Sequence, residues 1–265
     1  MSVDLSITGV NKFDKISKLA NLNPVFCRLD ERISSVASKI IETNHRRIPI
    51  VYRNRRLAGI VTTMDILDAF LREQSFDEAI STIMIRDVIS CEITDSIGYV
   101  LQKFKLSRRG GFPIVDKNQK LVGVVSERDF VRCFVDTKFG VKIKDLMTKK
   151  PFILSPKMTI KDSLKSLVNS HYRRLPVVDN GKLMGLVVAI DFLKFIKNQG
   201  FKLEKLNEPI TKILIKDVFT VDKDVDVSEA IKLMKAKDVG GLLIVDNQKN
   251  LEGIITERDI LTEIV

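Results

Sequence analysis

Apolar and polar positions follow one order four times along the chain. Each round opens with a brief apolar run and continues with a stretch whose apolar residues recur at helical spacing. It closes with two apolar runs split by a polar turn, a glycine and an acidic helix start. The helical faces read Ile33, Val36, Ala37, Ile40 and Ile41; Ile97, Val100, Leu101 and Phe104; Ile160, Leu164, Leu167 and Val168; and Val227, Ala230, Ile231 and Met234. The third of these helices is predicted to start from an N-cap at Thr159 and to end near Asn169, after a short leading strand at 151–154. The runs 48–51, 113–115, 176–178 and 243–245 are nearly all apolar, as strands covered on both faces are. The pattern predicts an α/β (α+β) chain built from four βαββα units.

The register is marked by Asp65, Asp129, Asp191 and Asp259, roughly 65 residues apart, a period that indicates internal repetition. A second pattern lies over the first. Repeats 1 and 3 carry His45, Arg46 and Arg47, and His171, Arg173 and Arg174, before the first strand of the hairpin; repeats 2 and 4 carry Gly110 and Gly111, and Gly240 and Gly241, there. The order is A-B-A-B. It divides the chain into repeats at 1–75, 76–140, 141–200 and 201–265, and into modules at 1–140 and 141–265. One repeat of this size buries little surface alone, so pairing is expected. Apolar helix faces around Ile66, Leu67, Phe70, Phe130, Phe134, Phe192 and Phe195 could close two modules within one chain or join two chains.

Composition narrows the function classes. The chain has 265 residues, 45% hydrophobic and 29% charged, which suits a folded globular protein. A formal net charge of +10 favours anionic partners. Cys27, Cys91 and Cys133 show neither a disulfide framework nor a CxxC pair, and only two histidines are present, so no metal site is expected. The N-terminal stretch lacks the basic and apolar regions of a signal peptide, and apolar runs such as 183–190 are too short to span a bilayer. A soluble, cytoplasmic protein is expected, with no membrane association. No Ser-His-Asp or Cys-His order, HExxH or P-loop is present, and every repeat is spent on the same unit, so no enzyme is expected.

The chemistry concentrates where the last strand of each repeat meets the last helix. The segments read Gly59-Ile-Val-Thr62-Thr-Met-Asp65, Gly123-Val-Val-Ser126-Glu-Arg-Asp129, Gly185-Leu-Val-Val188-Ala-Ile-Asp191 and Gly253-Ile-Ile-Thr256-Glu-Arg-Asp259. A hydroxyl at a helix start can meet a phosphate oxygen beside free backbone N–H groups. A carboxylate three residues on can accept ribose hydroxyls. The same spacing is also that of a capping box, in which the two side chains serve the helix itself. Val188 removes the hydroxyl from repeat 3.

These segments, four times in register over nearly the whole chain, resemble the CBS domain (cystathionine-β-synthase type). The resemblance implies paired repeats, or Bateman modules, each with pseudo-twofold symmetry, as in the nucleotide-sensing gamma subunit of AMP-activated protein kinase. It implies a regulatory protein that binds AMP, ADP or ATP without a cofactor and acts on a separate partner protein or through its own assembly, such as a homodimer. It also implies clefts built from both repeats of a pair. Ser126 and Asp129 would then work with Arg46 and Arg47, with segment 22–25 near the base. Thr256 and Asp259 would work with Arg173 and Arg174, with Thr148 and Phe152 near the base. Thr62 with Asp65, and Asp191 alone, would face paired glycines. His45, His171, Arg128 and Arg258 are further candidate phosphate contacts.

Two other readings stand beside this one. S-adenosylmethionine-type ligands share the adenosyl group. A nucleic-acid-binding role would use basic clusters such as Arg53, Arg55 and Arg56, or Lys142, Lys144, Lys149 and Lys150, although no nucleic-acid-binding motif accompanies them.

Overall fold

A computed structural model describes residues 9–264. The first residues of the N-terminal stretch and Val265, and with them the outer limits of repeats 1 and 4, lie outside the described residues.

Repeat 1 runs β1 (Cys27–Arg28), α1 (Ile33–Thr43), β2 (Arg47–Val51), β3 (Leu57–Thr62) and α2 (Thr63–Leu71). Repeat 2 runs β4 (Cys91–Glu92), α3 (Ile97–Ser107), β5 (Gly111–Val115), β6 (Leu121–Ser126) and α4 (Glu127–Cys133). Repeat 3 opens with a single helical turn, α5 (Ile143–Leu146), followed by α6 (Ile160–Ser170), β7 (Arg174–Asp179), β8 (Lys182–Val188) and α7 (Ala189–Asn198). Repeat 4 contributes α8 (Val227–Ala236), β9 (Gly241–Val245), β10 (Leu251–Thr256) and α9 (Glu257–Ile264).

Local sequence accounts for these elements. Thr159 caps α6 by accepting from the Asp162 N–H, Ser96 caps α3 in the same way, and Asp226 caps α8. The hairpins share one register: Ile48 opposes Val61, Phe112 opposes Val125 and Leu175 opposes Val187. Each repeat adds a short parallel partner to its hairpin. In repeats 1 and 2 this is a two-residue strand, with Cys27 beside Ile50 and Cys91 beside Ile114. In repeats 3 and 4 it shrinks to single bridges, Leu154 to Val177 and Thr220 to Leu243, so the strand expected at 151–154 is reduced to its last residue.

A further segment crosses between repeats. Asn21, ahead of β1, exchanges both backbone hydrogen bonds with Val124 of repeat 2 (2.9 and 3.0 Å), and Ile85, ahead of β4, does the same with Ile60 of repeat 1 (3.0 and 2.9 Å). Thr148 and Ile254, and Ile215 and Leu186, form the matching exchange between repeats 3 and 4. The glycine of each motif makes room for this. A Cβ at Gly123 would lie 3.0 Å from the Asn21 carbonyl oxygen, and one at Gly253 would lie 2.9 Å from that of Thr148. What these glycines admit is a neighbouring stretch of backbone.

The chain forms two compact units, each drawing one repeat from either half of the sequence. One comprises residues 25–88 and 152–217, where Ile66, Leu67 and Phe70 of α2 share a core with Phe192, Leu193 and Ile196 of α7. The other comprises, among the described residues, 9–24, 89–151 and 218–264, where Phe130, Val131 and Phe134 share a core with Ile231, Ile260 and Leu261. The apolar helix faces seen in the sequence are thus covered by a second repeat of the same chain, with Phe195 packed at the margin. Among the described residues, no helix is long and apolar enough to cross a membrane.

Candidate ligand site at the hydroxyl–aspartate clasps

In three repeats the last strand ends in a hydroxyl residue that the following aspartate grips. The Ser126 N–H and Oγ–H both donate to Asp129 Oδ2, each at 2.7 Å. The Thr256 N–H and Oγ1–H both donate to Asp259 Oδ2, also at 2.7 Å. Thr62 donates to Asp65 Oδ2 at 2.7 and 2.8 Å, and the Asp65 N–H returns a bond to Thr62 Oγ1 at 3.3 Å. At Thr62 and Ser126 the arrangement is a capping box, which holds the carboxylate at a fixed place against the helix start.

Repeat 3 has the carboxylate without the hydroxyl. Val188 offers α7 no side-chain cap, and Asp191 Oδ2 is shut off from solvent with no hydrogen bond among the described residues. Burial pushes the Asp191 carboxyl above the usual aspartate range, with Lys194, 3.8 Å from Oδ1, and the Val188 backbone N–H opposing the shift. Burial also raises Asp129 and Asp259, against the bonds from Ser126 and Thr256 that favour their charged forms. All three carboxylates therefore carry a desolvation cost that a partner able to donate hydrogen bonds would relieve.

The residues at the start of each hairpin lie beside the clasp of their own repeat. Arg47 opposes Thr62 across the β-ladder, and the Arg46 carbonyl accepts the Thr63 N–H at 3.1 Å. Arg174 opposes Val188, and the Arg173 carbonyl accepts the Ala189 N–H at 3.0 Å. In repeats 2 and 4 the same positions bring Gly111 opposite Ser126 and Gly241 opposite Thr256. Leu22 reaches Gly123 on the strand that ends in Ser126, and Thr148 is bridged to Ile254 on the strand that ends in Thr256. Phe152 and Tyr172 are both half exposed, their ring centroids 6.5 Å apart. His171 is the left-handed residue that ends α6 and lies at the surface; His45 is part-buried, and its Nδ1 has no partner among the described residues. Those residues hold no cluster of His, Cys, Asp and Glu fit for a metal ion.

Arg128 and Arg258 are engaged elsewhere in their unit. Arg128 donates through Nε to Glu257 Oε1 at 2.7 Å, and Arg258 donates through Nε to Glu127 Oε1 at 2.8 Å. Both glutamates are buried. Arg128 also reaches Asp238 at 2.9 Å, and Arg132 pairs with the same carboxylate. Sequence reasoning passed over Glu127, Glu257 and Asp238. The available signal was the dipeptide Glu-Arg inside the motif, present in repeats 2 and 4 only.

The repeat architecture has a family. Residues 16–72, 80–136, 143–198 and 210–265 each match the CBS domain. The chain is a CBS-domain protein. Among relatives of this CBS-domain protein, protein MJ1225 of Methanocaldococcus jannaschii is 29% identical over 245 residues, covering 83% of this chain and 88% of that protein. The crystal structure of MJ1225, which has been proposed as an archaeal homolog of g-AMPK, superposes with a TM-score of 0.87 at 27% identity, over 94% of this chain and 99% of that one. A 33.4 kDa protein from a ribosomal RNA operon of Thermofilum pendens is 27% identical, covering 83% of this chain and 80% of that protein. A conserved protein of Pyrococcus horikoshii shares the fold at a TM-score of 0.65 and 22% identity, over 95% of this chain and all of that one.

Proposed function

We propose that this CBS-domain protein is a regulatory sensor of adenosyl ligands, adenine nucleotides foremost, which signals occupancy to a separate partner or through its own assembly. The observation that carries the proposal is the hydroxyl–aspartate clasp. In the clasps at Asp129 and Asp259 one carboxylate oxygen takes two donors, while Oδ1 accepts no hydrogen bond among the described residues. A ribose brings two neighbouring hydroxyl donors that suit this oxygen. A phosphate placed at Ser126 or Thr256 would draw the hydroxyl hydrogen away from the aspartate, and a ribose hydroxyl would replace the bond so lost. Relief of the carboxylate desolvation favours the same event.

Arg46, Arg47, Arg173 and Arg174 enter the proposal as sources of charge for phosphate, on the family resemblance alone. The likeness to MJ1225, with its proposed relation to g-AMPK, points the same way. Occupancy would act by favouring whichever arrangement of repeats contacts the ligand best. Calorimetric titration with AMP, ADP, ATP and S-adenosylmethionine tests the reading. Saturable binding that weakens in Asp129→Ala and in Asp259→Ala is expected; unchanged affinity and stoichiometry in both variants would refute it.

A further inference from the structure

We propose that the two clasps of the unit holding repeats 2 and 4 form one coupled device, with Glu127 and Glu257 as the positioning residues that join them. The inference rests on the function proposed above and concerns how its sites communicate. Glu127 and Arg128 lie between Ser126 and Asp129; Glu257 and Arg258 lie between Thr256 and Asp259. Each four-residue stretch is gripped at both ends by its own clasp and tied in its middle to the other stretch, through Arg128 to Glu257 and Arg258 to Glu127. The glutamate side chains are only 7% and 5% exposed, so each of these ion pairs is largely shielded from solvent. A ligand that shifts one helix start moves an arginine whose partner is set immediately beside the other clasp.

The link is not symmetric. Asp238, in the left-handed conformation ahead of β9, adds a second carboxylate for Arg128; the corresponding residue ahead of β5 is Arg108, also left-handed. Arg128 is correspondingly 23% exposed and Arg258 41%. The stretch carrying Asp129 is thus anchored more firmly than the stretch carrying Asp259. The Asp259 clasp is the one that yields first to a ligand, and its response reaches Asp129 through Glu127.

The test is a cycle of calorimetric titrations with AMP and with ATP. The affinity left in Asp129→Ala and in Asp259→Ala is measured in the native background and again with Glu127→Gln and Glu257→Gln together. In the native background, removing one clasp should shift the affinity of the other by at least about fivefold, a coupling of ordinary allosteric size. In the glutamine background that shift should vanish while each remaining clasp still binds. Arg128→Lys with Arg258→Lys, which keeps the charge and loses the Nε geometry, gives the same comparison should the glutamine pair unfold the unit. Equal shifts in all backgrounds would overturn the coupling and leave the sensor reading intact. Absence of any adenosyl-ligand binding by the native protein would overturn both.

Discussion

Asp129 Oδ2 receives both the backbone N–H and the hydroxyl of Ser126, so a single oxygen closes the strand–helix junction on which the candidate site is built. Because both residues belong to one local motif, the junction can be tested as a cap before any ligand is added. Ser126→Ala should lower stability by about 1 kcal/mol, the usual worth of an N-cap hydroxyl, measured by urea denaturation. A larger loss would mean that Ser126 supports more than its own helix.

Repeat 3 offers the reverse experiment. Asp191 Oδ2 is buried and lacks the hydroxyl donor of the other clasps, because Val188 stands where the other repeats have Ser or Thr. Val188→Thr should therefore stabilise the protein by about 0.5–1 kcal/mol, with Val188→Ala as the control that removes the side chain without adding a donor. Loss of stability in the threonine variant would show that the pocket around Val188 cannot accept a hydroxyl.

The buried carboxylates also set a pH dependence. Burial raises Asp129, Asp191 and Asp259 above the aspartate value of the unfolded chain, about 3.9. The folded protein therefore holds these protons more tightly than the unfolded one. Their contribution to stability is fully present below the unfolded value and is lost as pH rises through the raised folded values. Asp191→Asn should flatten the stability–pH curve across that window, read from denaturation midpoints in a pH series. An unchanged slope would contradict the assignment.

Close backbone approach predicts a graded cost at the motif glycines. A Cβ at Gly185 would fall 2.3 Å from the Ile215 carbonyl oxygen, against 3.0 Å from that of Asn21 at Gly123. Gly185→Ala should be the more damaging, beyond the roughly 1–3 kcal/mol typical of overpacking, and Gly123→Ala should lie within that range. Thermal denaturation of the two variants gives the order.

Arg258 and Glu127 should be energetically coupled even without ligand. Arg258→Ala, Glu127→Ala and the double variant form a double-mutant cycle, for which a coupling of about 1 kcal/mol is expected. The coupling is small because the guanidinium is 41% exposed and solvent screens it. Additive effects would show that the ion pair contributes nothing to folding.

Features carried by neighbours along the chain could be read from the sequence. The alternation of helical and strand periods located the helices and hairpins of all four repeats, since each burial pattern is set by backbone geometry within a few residues. Thr159 capping α6 and Asp129 three residues after Ser126 were legible for the same reason: cap and partner are separated by one helical turn. The absence of a hydroxyl at Val188 could likewise be seen, whereas the burial of Asp191 Oδ2 could not.

Tertiary structure alone decided which distant segments meet. Arg128 and Glu257 are 129 positions apart, and nothing within either repeat indicates that a first-turn arginine will be neutralised by a glutamate from another copy. The motif glycines make room for a backbone segment of the adjacent repeat, which a glycine in a sequence cannot specify. The apolar faces of α2 and α7 required burial, but any apolar face would satisfy that need; their pairing within one chain depends on shape complementarity between surfaces far apart in sequence.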